Sequence, residues 1–145
     1  MDRKEFLKLL GTSCVALAGA PLTFSGCAAV YSIHTEPRNN QITVAKKEFI
    51  QNTKNGQAPR DLILIRVATL AFPIAMYRKN DREYHALWME CTHQGCEVNA
   101  QPGYLVCPCH GSEFTDTGRV VEGPAETDLK KFNVTTDEEN IYVHL

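Results

Sequence analysis

The sequence predicts an all-β fold. No stretch after residue 30 sustains a helical apolar stripe for ten residues, whereas short runs of β-branched and aromatic residues recur, separated by Gly, Pro and Asn. Many short strands joined by such turns are typical of a sandwich or a barrel. At 145 residues, the chain is predicted to form one domain.

The predicted strands are short and follow one another closely. Residues 41–44 alternate polar and apolar side chains, as a half-buried strand does, and residues 62–67 form a β-branched run of strand length. Asn80-Asp81 marks a hairpin turn, and residues 52–59 are polar and turn-rich. Strands are predicted at residues 41–44, 62–67, 74–77, 84–89, 104–106, 119–121, 132–135 and 141–143.

The charge balance excludes one class of function. The chain has 15 Lys and Arg against 17 Asp and Glu, for a formal net charge of −2. A protein that binds nucleic acid mainly by electrostatics would show a clustered basic face, so no nucleic-acid partner is expected. Charged residues make up 22% of the chain, and the many Ile, Leu and Val residues exclude wholesale disorder.

The first 26 residues are predicted to be a cleaved export signal. A charged segment at residues 2–8 precedes an apolar, small-residue run at residues 9–24 that is too short to span a membrane. Residues 24–27, Phe-Ser-Gly-Cys, resemble a lipobox, so Cys27 is the predicted site of lipid attachment; cleavage near residues 18–20 is the alternative. Residues 27–40 show no sustained period and are predicted to be a tether.

The signal also predicts a compartment. Arg3-Lys4 resembles the twin-arginine export motif, with Lys4 where the second arginine normally stands, and an ordinary Sec signal is the alternative. With a lipid on Cys27, the protein is expected in the periplasm or on the outward face of a bacterial membrane, attached without a spanning helix.

Two short loops contain the residues that carry chemistry. They read Cys91-Thr-His-Gln-Gly-Cys96 and Cys107-Pro-Cys-His-Gly-Ser112. Thiolate with imidazole suits zinc or iron–sulfur chemistry. A zinc site would take one cysteine and one histidine from each loop, or four cysteines, whereas a [2Fe–2S] cluster would place two cysteines on one iron and two histidines on the other. Zinc ligands usually lie farther apart than Cys91 and His93, which favours the cluster.

These two loops resemble the ligand motifs of the Rieske [2Fe–2S] family. Residues 118–125, Gly-Arg-Val-Val-Glu-Gly-Pro-Ala, are similar to the family's third, proline-containing loop. The resemblance covers roughly residues 60–145. It implies a Rieske-like antiparallel β-sandwich over residues 41–145, with a small rubredoxin-like cluster-binding lobe at about residues 89–125.

The resemblance implies a role for each matching residue. One [2Fe–2S] cluster per chain is expected as the cofactor, with two thiolate ligands on its inner iron and two imidazole ligands on its outer iron. A disulfide is expected beside it, and a serine hydroxyl that donates to a bridging sulfide. By position these are Cys91 and Cys107 (thiolates), His93 and His110 (imidazoles), Cys96 and Cys109 (disulfide), Ser112 (donor), and Gly123 and Pro124 (third loop).

Phe114 departs from the family pattern. Many respiratory members have a tyrosine at this position, whose hydroxyl bonds a ligand cysteine sulfur. Donors of this kind stabilise the reduced, more negative cluster and raise its reduction potential. Phe114 keeps the ring and lacks the donor, so a lower potential is predicted, consistent with a lower-potential quinol such as menaquinol.

The resemblance implies electron transfer as the function. The leading expectation is the iron–sulfur subunit of a membrane quinol:cytochrome oxidoreductase of the cytochrome bc type, with membrane quinol as donor, a cytochrome as acceptor and a cytochrome b-type subunit as partner. His93 and His110 are the expected docking and proton-coupled residues. The alternatives are a small Rieske subunit of an arsenite-oxidase-type molybdenum enzyme, a free-standing ferredoxin-type carrier, and a zinc-containing exported binding module.

Overall fold

The computed structural model describes residues 29–145. Within this range the chain forms thirteen β-strands and one 3-10 turn, Lys46–Phe49. In chain order the strands are β1 (Ser32–His34), β2 (Gln41–Ala45), β3 (Ile50–Thr53), β4 (Gly56–Pro59), β5 (Leu62–Arg66), β6 (Ile74–Arg78), β7 (Tyr84–Trp88), β8 (Asn99–Gln101), β9 (Tyr104–Val106), β10 (Glu113–Thr115), β11 (Val120–Glu122), β12 (Lys131–Thr136) and β13 (Asn140–His144).

Two sheets and one hairpin make up residues 29–145. The larger sheet has seven strands in the order β1-β5-β6-β7-β12-β13-β2, and the smaller has four in the order β11-β10-β9-β8. β3 and β4 form a separate hairpin. Neighbouring strands are antiparallel except β1 and β5, which are parallel. The predicted all-β fold with a small lobe is therefore confirmed, apart from this one parallel pair.

β5, the neighbour of the edge strand β1, is buried on both faces. Leu62 and Leu64 enter a first core, which the larger sheet shares with the smaller one. Ile63 and Ile65 point the other way, into a second core among the strands of the larger sheet. Because successive side chains on a strand point to opposite faces, a strand between two cores needs an unbroken apolar run. This explains the run at residues 62–65 that predicted the strand.

The register of the larger sheet gives the domain two distinct ends. β7 begins opposite Arg78 and ends at Trp88, just before the first ligand loop. β1 pairs in parallel with β5, so the chain running back from Ser32 to Val30 leaves the sheet at the end where β7 begins. The N-terminal exit and the first ligand loop therefore lie at opposite ends of the larger sheet.

One tyrosine joins the smaller sheet to the larger. The Tyr77 hydroxyl on β6 lies 2.9 Å from the carbonyl oxygens of both Gln101 and Tyr104, which flank the turn between β8 and β9. From this turn β9 runs to Cys107, so the second ligand loop lies at the same end of the domain as the first. Burial raises the pKa of Tyr77 well above its usual range.

Several segments differ from the sequence prediction. Ser32–His34, within the segment predicted as a tether, forms β1, because its backbone pairs with β5. The turn-rich segment 52–59 contributes to the β3–β4 hairpin, and the three-residue strands β8 and β10 were not predicted. The predicted export signal and Cys27 lie outside the described residues. Within residues 29–145, no helix is long and apolar enough to cross a membrane.

Candidate metal centre

The two ligand loops share one backbone hydrogen-bond pattern. In the first, the Cys91 N–H donates to the carbonyl of Cys96 at 2.8 Å and the Gly95 N–H donates to the carbonyl of Cys91 at 2.8 Å. In the second, the Cys107 N–H donates to the carbonyl of Ser112 at 2.8 Å and the Gly111 N–H donates to the carbonyl of Cys107 at 3.0 Å. Each pattern closes the loop around its first cysteine.

A glycine at the same place makes each loop possible. Gly95 has a φ of 71° and Gly111 a φ of 81°, in the left-handed region that residues with a Cβ rarely adopt. Each lies four residues after the cysteine that opens its loop. A cysteine followed four residues later by a glycine thus occurs in both loops, and this repeat is a sequence signal for the shared loop conformation.

The structure brings the four predicted ligands together in two pairs, one of buried thiols and one of imidazoles. Cys91 is 2% exposed and Cys107 is 1% exposed, both in the first core, and both are free thiols. His93 is half-buried and His110 is exposed, with ring centroids 5.0 Å apart and ring planes at 88°. The Nδ1 atom of His93 is buried without a hydrogen-bond partner among the described residues. A ligated metal ion would satisfy this nitrogen.

The predicted disulfide between Cys96 and Cys109 is confirmed. The two Cα atoms lie 6.6 Å apart, and the bond ties the first ligand loop to the second. The sulfur atoms of both cysteines lie within 4.8 Å of the Cys107 sulfur. Because two of these three sulfurs form the disulfide, the group is a bridge packed against a predicted ligand cysteine and not a three-thiolate metal site.

The third loop is bonded to the first two. The Ala125 N–H donates to the hydroxyl oxygen of Ser112 at 3.0 Å, and Ser112 is fully buried. The Thr92 hydroxyl donates to the carbonyl of Thr127 at 2.7 Å. The peptide bond between Gly123 and Pro124, just before Ala125, is cis. Thr92 was not among the predicted site residues, since a single threonine in a loop carries no signal of its own.

Phe114 lies in the first core beneath the loops. It is fully buried on β10, in the same cluster of side chains as Cys91 and Cys107. Its ring fills this position without a polar group. Phe114 therefore makes an apolar contact at the position where many members of the resembling family have a tyrosine hydroxyl.

The backbone around Cys107 favours a thiolate against the effect of burial. Burial raises the pKa of the Cys107 thiol, and a hydrogen bond with Cys91 raises it further. The backbone N–H groups of Cys109 and His110 act in the opposite direction. Since the thiolate is the form that binds metal, these two N–H groups are placed to support a ligand sulfur.

Comparison with known families decides the assignment. The model of the Rieske [2Fe-2S] domain matches residues 43–133. The chain belongs to the Rieske [2Fe–2S] family. Its cofactor is therefore a [2Fe–2S] cluster, as predicted from the two loops.

Relatives of this Rieske protein are similar over part of their length. The iron-sulfur subunits of the cytochrome b6-f complex from Prochlorococcus marinus (strain MIT 9303) and Synechococcus sp. (strain CC9605) are each 46% identical over 55 residues. Each match covers 37% of this chain and 31% of the relative, so the similarity spans about a third of the subunit.

One solved structure agrees on the fold, and a second is similar in sequence over part of its length. A chain from the complex of reduced oxygenase and oxidized ferredoxin in carbazole 1,9a-dioxygenase is 23% identical, with a TM-score of 0.53, and the match covers 74% of this chain and 94% of that one. The cyanobacterial plasma membrane Rieske protein from Synechocystis PCC 6803 is 39% identical, with a TM-score of 0.48, over 53% of this chain and 81% of that one.

The residues present fit the cluster. Once the disulfide has taken Cys96 and Cys109, the two loops offer two buried thiols and two imidazoles, a donor set suited to iron–sulfur chemistry. The buried Nδ1 of His93, unpartnered among the described residues, is the atom that most needs a ligand. Cys91, Cys107, His93 and His110 are therefore the residues that could hold the two irons.

Proposed function

We propose that this Rieske protein transfers single electrons through a [2Fe–2S] cluster held by Cys91 and Cys107 on one iron and by His93 and His110 on the other. When bound, such a cluster supplies a one-electron couple at about −150 to +300 mV. The observation that carries the proposal is the gradient of exposure across the donor set. The thiols are buried, His93 is half-buried and His110 is exposed, so the imidazole side faces a partner.

The residues around the donor set have defined tasks. The first core excludes water from the two cysteines, and the disulfide covers Cys107 from the loop side. Ser112 accepts from the Ala125 N–H, which leaves its own hydroxyl proton free to donate toward the cluster. Gly123 and Pro124 shape the third loop that brings Ala125 to this position.

The finer proposal places the protein in a membrane complex. We infer that it is the iron–sulfur subunit of a quinol:cytochrome oxidoreductase of the cytochrome bc type, with membrane quinol, such as menaquinol, as donor and a cytochrome as acceptor. The similarity to iron-sulfur subunits of the cytochrome b6-f complex supports this proposal and a cytochrome b-type partner. Export under the signal at residues 1–26 and a lipid on Cys27 would place it on the outward face of the membrane.

The ligand assignment is tested by metal analysis of purified full-length protein. Iron and acid-labile sulfide are expected in equal amounts, with the electron paramagnetic resonance spectrum of a reduced [2Fe–2S] cluster. His110→Ala is expected to abolish this spectrum, whereas His34→Ala on β1 is the matched control that keeps it. Zinc without sulfide in the wild-type protein would overturn the assignment.

Rapid mixing tests the electron-transfer proposal. The oxidised protein is mixed with a menaquinol analogue in detergent micelles, and the reduced protein with a ferric c-type cytochrome. Reduction of the cluster by the quinol and its reoxidation by the cytochrome are expected. A cluster that accepts no electron from the quinol, yet exchanges electrons with the cytochrome, would exclude the quinol-oxidising complex and leave a carrier.

A further inference from the structure

Negative charge is concentrated on the part of the chain that contains the ligand loops. Residues 89–130, between β7 and β12, contain seven acidic and two basic residues, a net charge of −5. The remaining described residues, 29–88 and 131–145, contain ten basic and eight acidic residues, a net charge of +2. We call residues 89–130 the acidic lobe. The ligand loops therefore belong to the most acidic part of the described chain.

Exposed glutamates of the acidic lobe stand next to all three loops. Glu90 and Glu97 flank the first loop, Glu113 follows the second, and Glu122 and Glu126 flank the third. None of these five side chains forms an ion pair with a described residue. The loops that surround the donor set therefore carry uncompensated negative charge on their solvent side.

The pairing of these glutamates is an independent observation. Glu113 on β10 pairs directly with Glu122 on β11, and Glu90 forms an isolated β-bridge with Glu97. Like charges directly opposite each other on paired strands destabilise a sheet. Glu90 accepts a hydrogen bond from the Trp88 indole N–H at 2.6 Å, whereas the Glu113 and Glu122 side chains have no partner among the described residues. A positively charged partner would relieve the repulsion between Glu113 and Glu122.

Apolar surface accompanies the charge. Val121 is 63% exposed, the most exposed large hydrophobic side chain of residues 29–145, and it lies next to Glu122. An exposed apolar residue within a charged rim is the arrangement of a protein-docking surface. The exposed ring of His110 lies on the loops that this rim surrounds.

We propose that the acidic lobe is the docking surface for an electron-acceptor protein with a positively charged surface around its redox centre. This inference rests on the proposed function, since it names the acceptor for the same site. In the transfer the ferric haem or other oxidised centre of the partner gains the one electron that the cluster loses, and no bond forms or breaks. Opposite charges would steer the encounter and orient it toward His110.

The test uses a basic cytochrome c and its lysine-acetylated form, which keeps the haem but has lost positive charge. Binding of each to the holo-protein is measured by isothermal titration calorimetry with both partners oxidised, so that no electron moves. Oxidation of the reduced protein is followed separately by rapid mixing. Binding and rate are expected to be higher with the native cytochrome and to fall as salt is raised to about 0.15 M.

Matched charge variants locate the surface. Glu113→Gln with Glu122→Gln is expected to weaken binding of the native cytochrome about fivefold and to raise the melting temperature by removing the repulsion. The control is Glu138→Gln with Glu139→Gln, which removes the same charge at the exit end and is expected to leave binding unchanged. A merely structural role for Glu113 and Glu122 would not change the affinity.

Two results would overturn the inference. One is equal, salt-independent binding of native and acetylated cytochrome, and the other is an equal loss of affinity in the two double variants. Failure of the proposed function gives a different result, in which the reduced protein passes electrons to neither cytochrome although the calorimetric binding and its charge dependence persist.

Discussion

The hydroxyl oxygen of Ser112 lies 3.0 Å from the backbone nitrogen of Ala125 and accepts a hydrogen bond from its N–H. This bond joins the end of the second ligand loop to the third loop, at a position where Ser112 is fully buried. Since an oxygen that accepts this bond still has its own proton to give, the Ser112 hydroxyl could also donate toward the cluster, as proposed above.

Replacing Ser112 is expected to affect both stability and redox potential. Ser112→Ala leaves the buried Ala125 N–H without a partner, which costs about 1–3 kcal/mol of unfolding free energy. It also removes a donor to the cluster, so the midpoint potential is expected to fall. Chemical denaturation and film voltammetry measure the two effects. An unchanged potential with reduced stability would limit Ser112 to its bond with Ala125.

Phe114→Tyr is expected to raise the midpoint potential. A hydroxyl at this buried position can donate to a ligand sulfur in the same core, which favours the reduced state. The matched control is Phe132→Tyr, which places a hydroxyl in the second core, away from the donor set. Film voltammetry measures the midpoint potential of both variants, and only Phe114→Tyr is expected to raise it. The interpretation of Phe114 is wrong if both variants keep the wild-type potential.

Loss of the disulfide is expected to loosen the site. The bridge closes a loop with a sequence separation of 13 residues, so replacing both Cys96 and Cys109 with serine is expected to cost about 3 kcal/mol of stability. The double variant is preferable to either single one, which would leave a free thiol within 4.8 Å of the Cys107 sulfur. Thermal unfolding and the rate of iron release to a chelator measure the outcome. Wild-type stability and iron retention would show that the bridge contributes nothing.

Tyr77 is expected to make stability depend on alkaline pH. Burial raises its pKa in the folded state, so its contribution to stability is fully present below the ordinary tyrosine pKa of about 10 and is lost as pH rises above it. Tyr77→Phe is expected to reduce stability at neutral pH and to flatten this alkaline loss. Denaturant unfolding between pH 7 and 11 measures both effects. Tyr104→Phe, at an exposed position, is the control, and an equal alkaline loss in all three proteins would contradict the prediction.

Strands with a strong local pattern could be predicted from the sequence. The apolar, β-branched run at residues 62–67 predicted a strand, and β5 forms there with both faces buried. β1, β8 and β10 have only one apolar residue in three, unlike the equally short β9 and β11, so the local sequence carries no strand signal. They form because a neighbouring strand offers a free edge. Pairing with a strand about thirty residues away is a tertiary effect that the local sequence of β1 does not contain.

Some features of the candidate site could be predicted from the sequence, and others depend on the tertiary structure. The residue types and spacing of the two loops indicated the four donors, and the family resemblance gave the disulfide. Neither could indicate that Glu113 and Glu122 lie opposite each other, because this depends on the register of β10 and β11. The bond from Ala125 to Ser112 likewise depends on how the third loop folds back.

The two ligand loops share one backbone hydrogen-bond pattern, but their histidines occupy different positions within it. His93 stands two residues after its cysteine and His110 three residues after, although Gly95 and Gly111 occupy the same place in each frame. The two rings meet edge-on, with the first half-buried and the second exposed. In the proposed ligand set, His110 is therefore the imidazole that a docking protein would contact first.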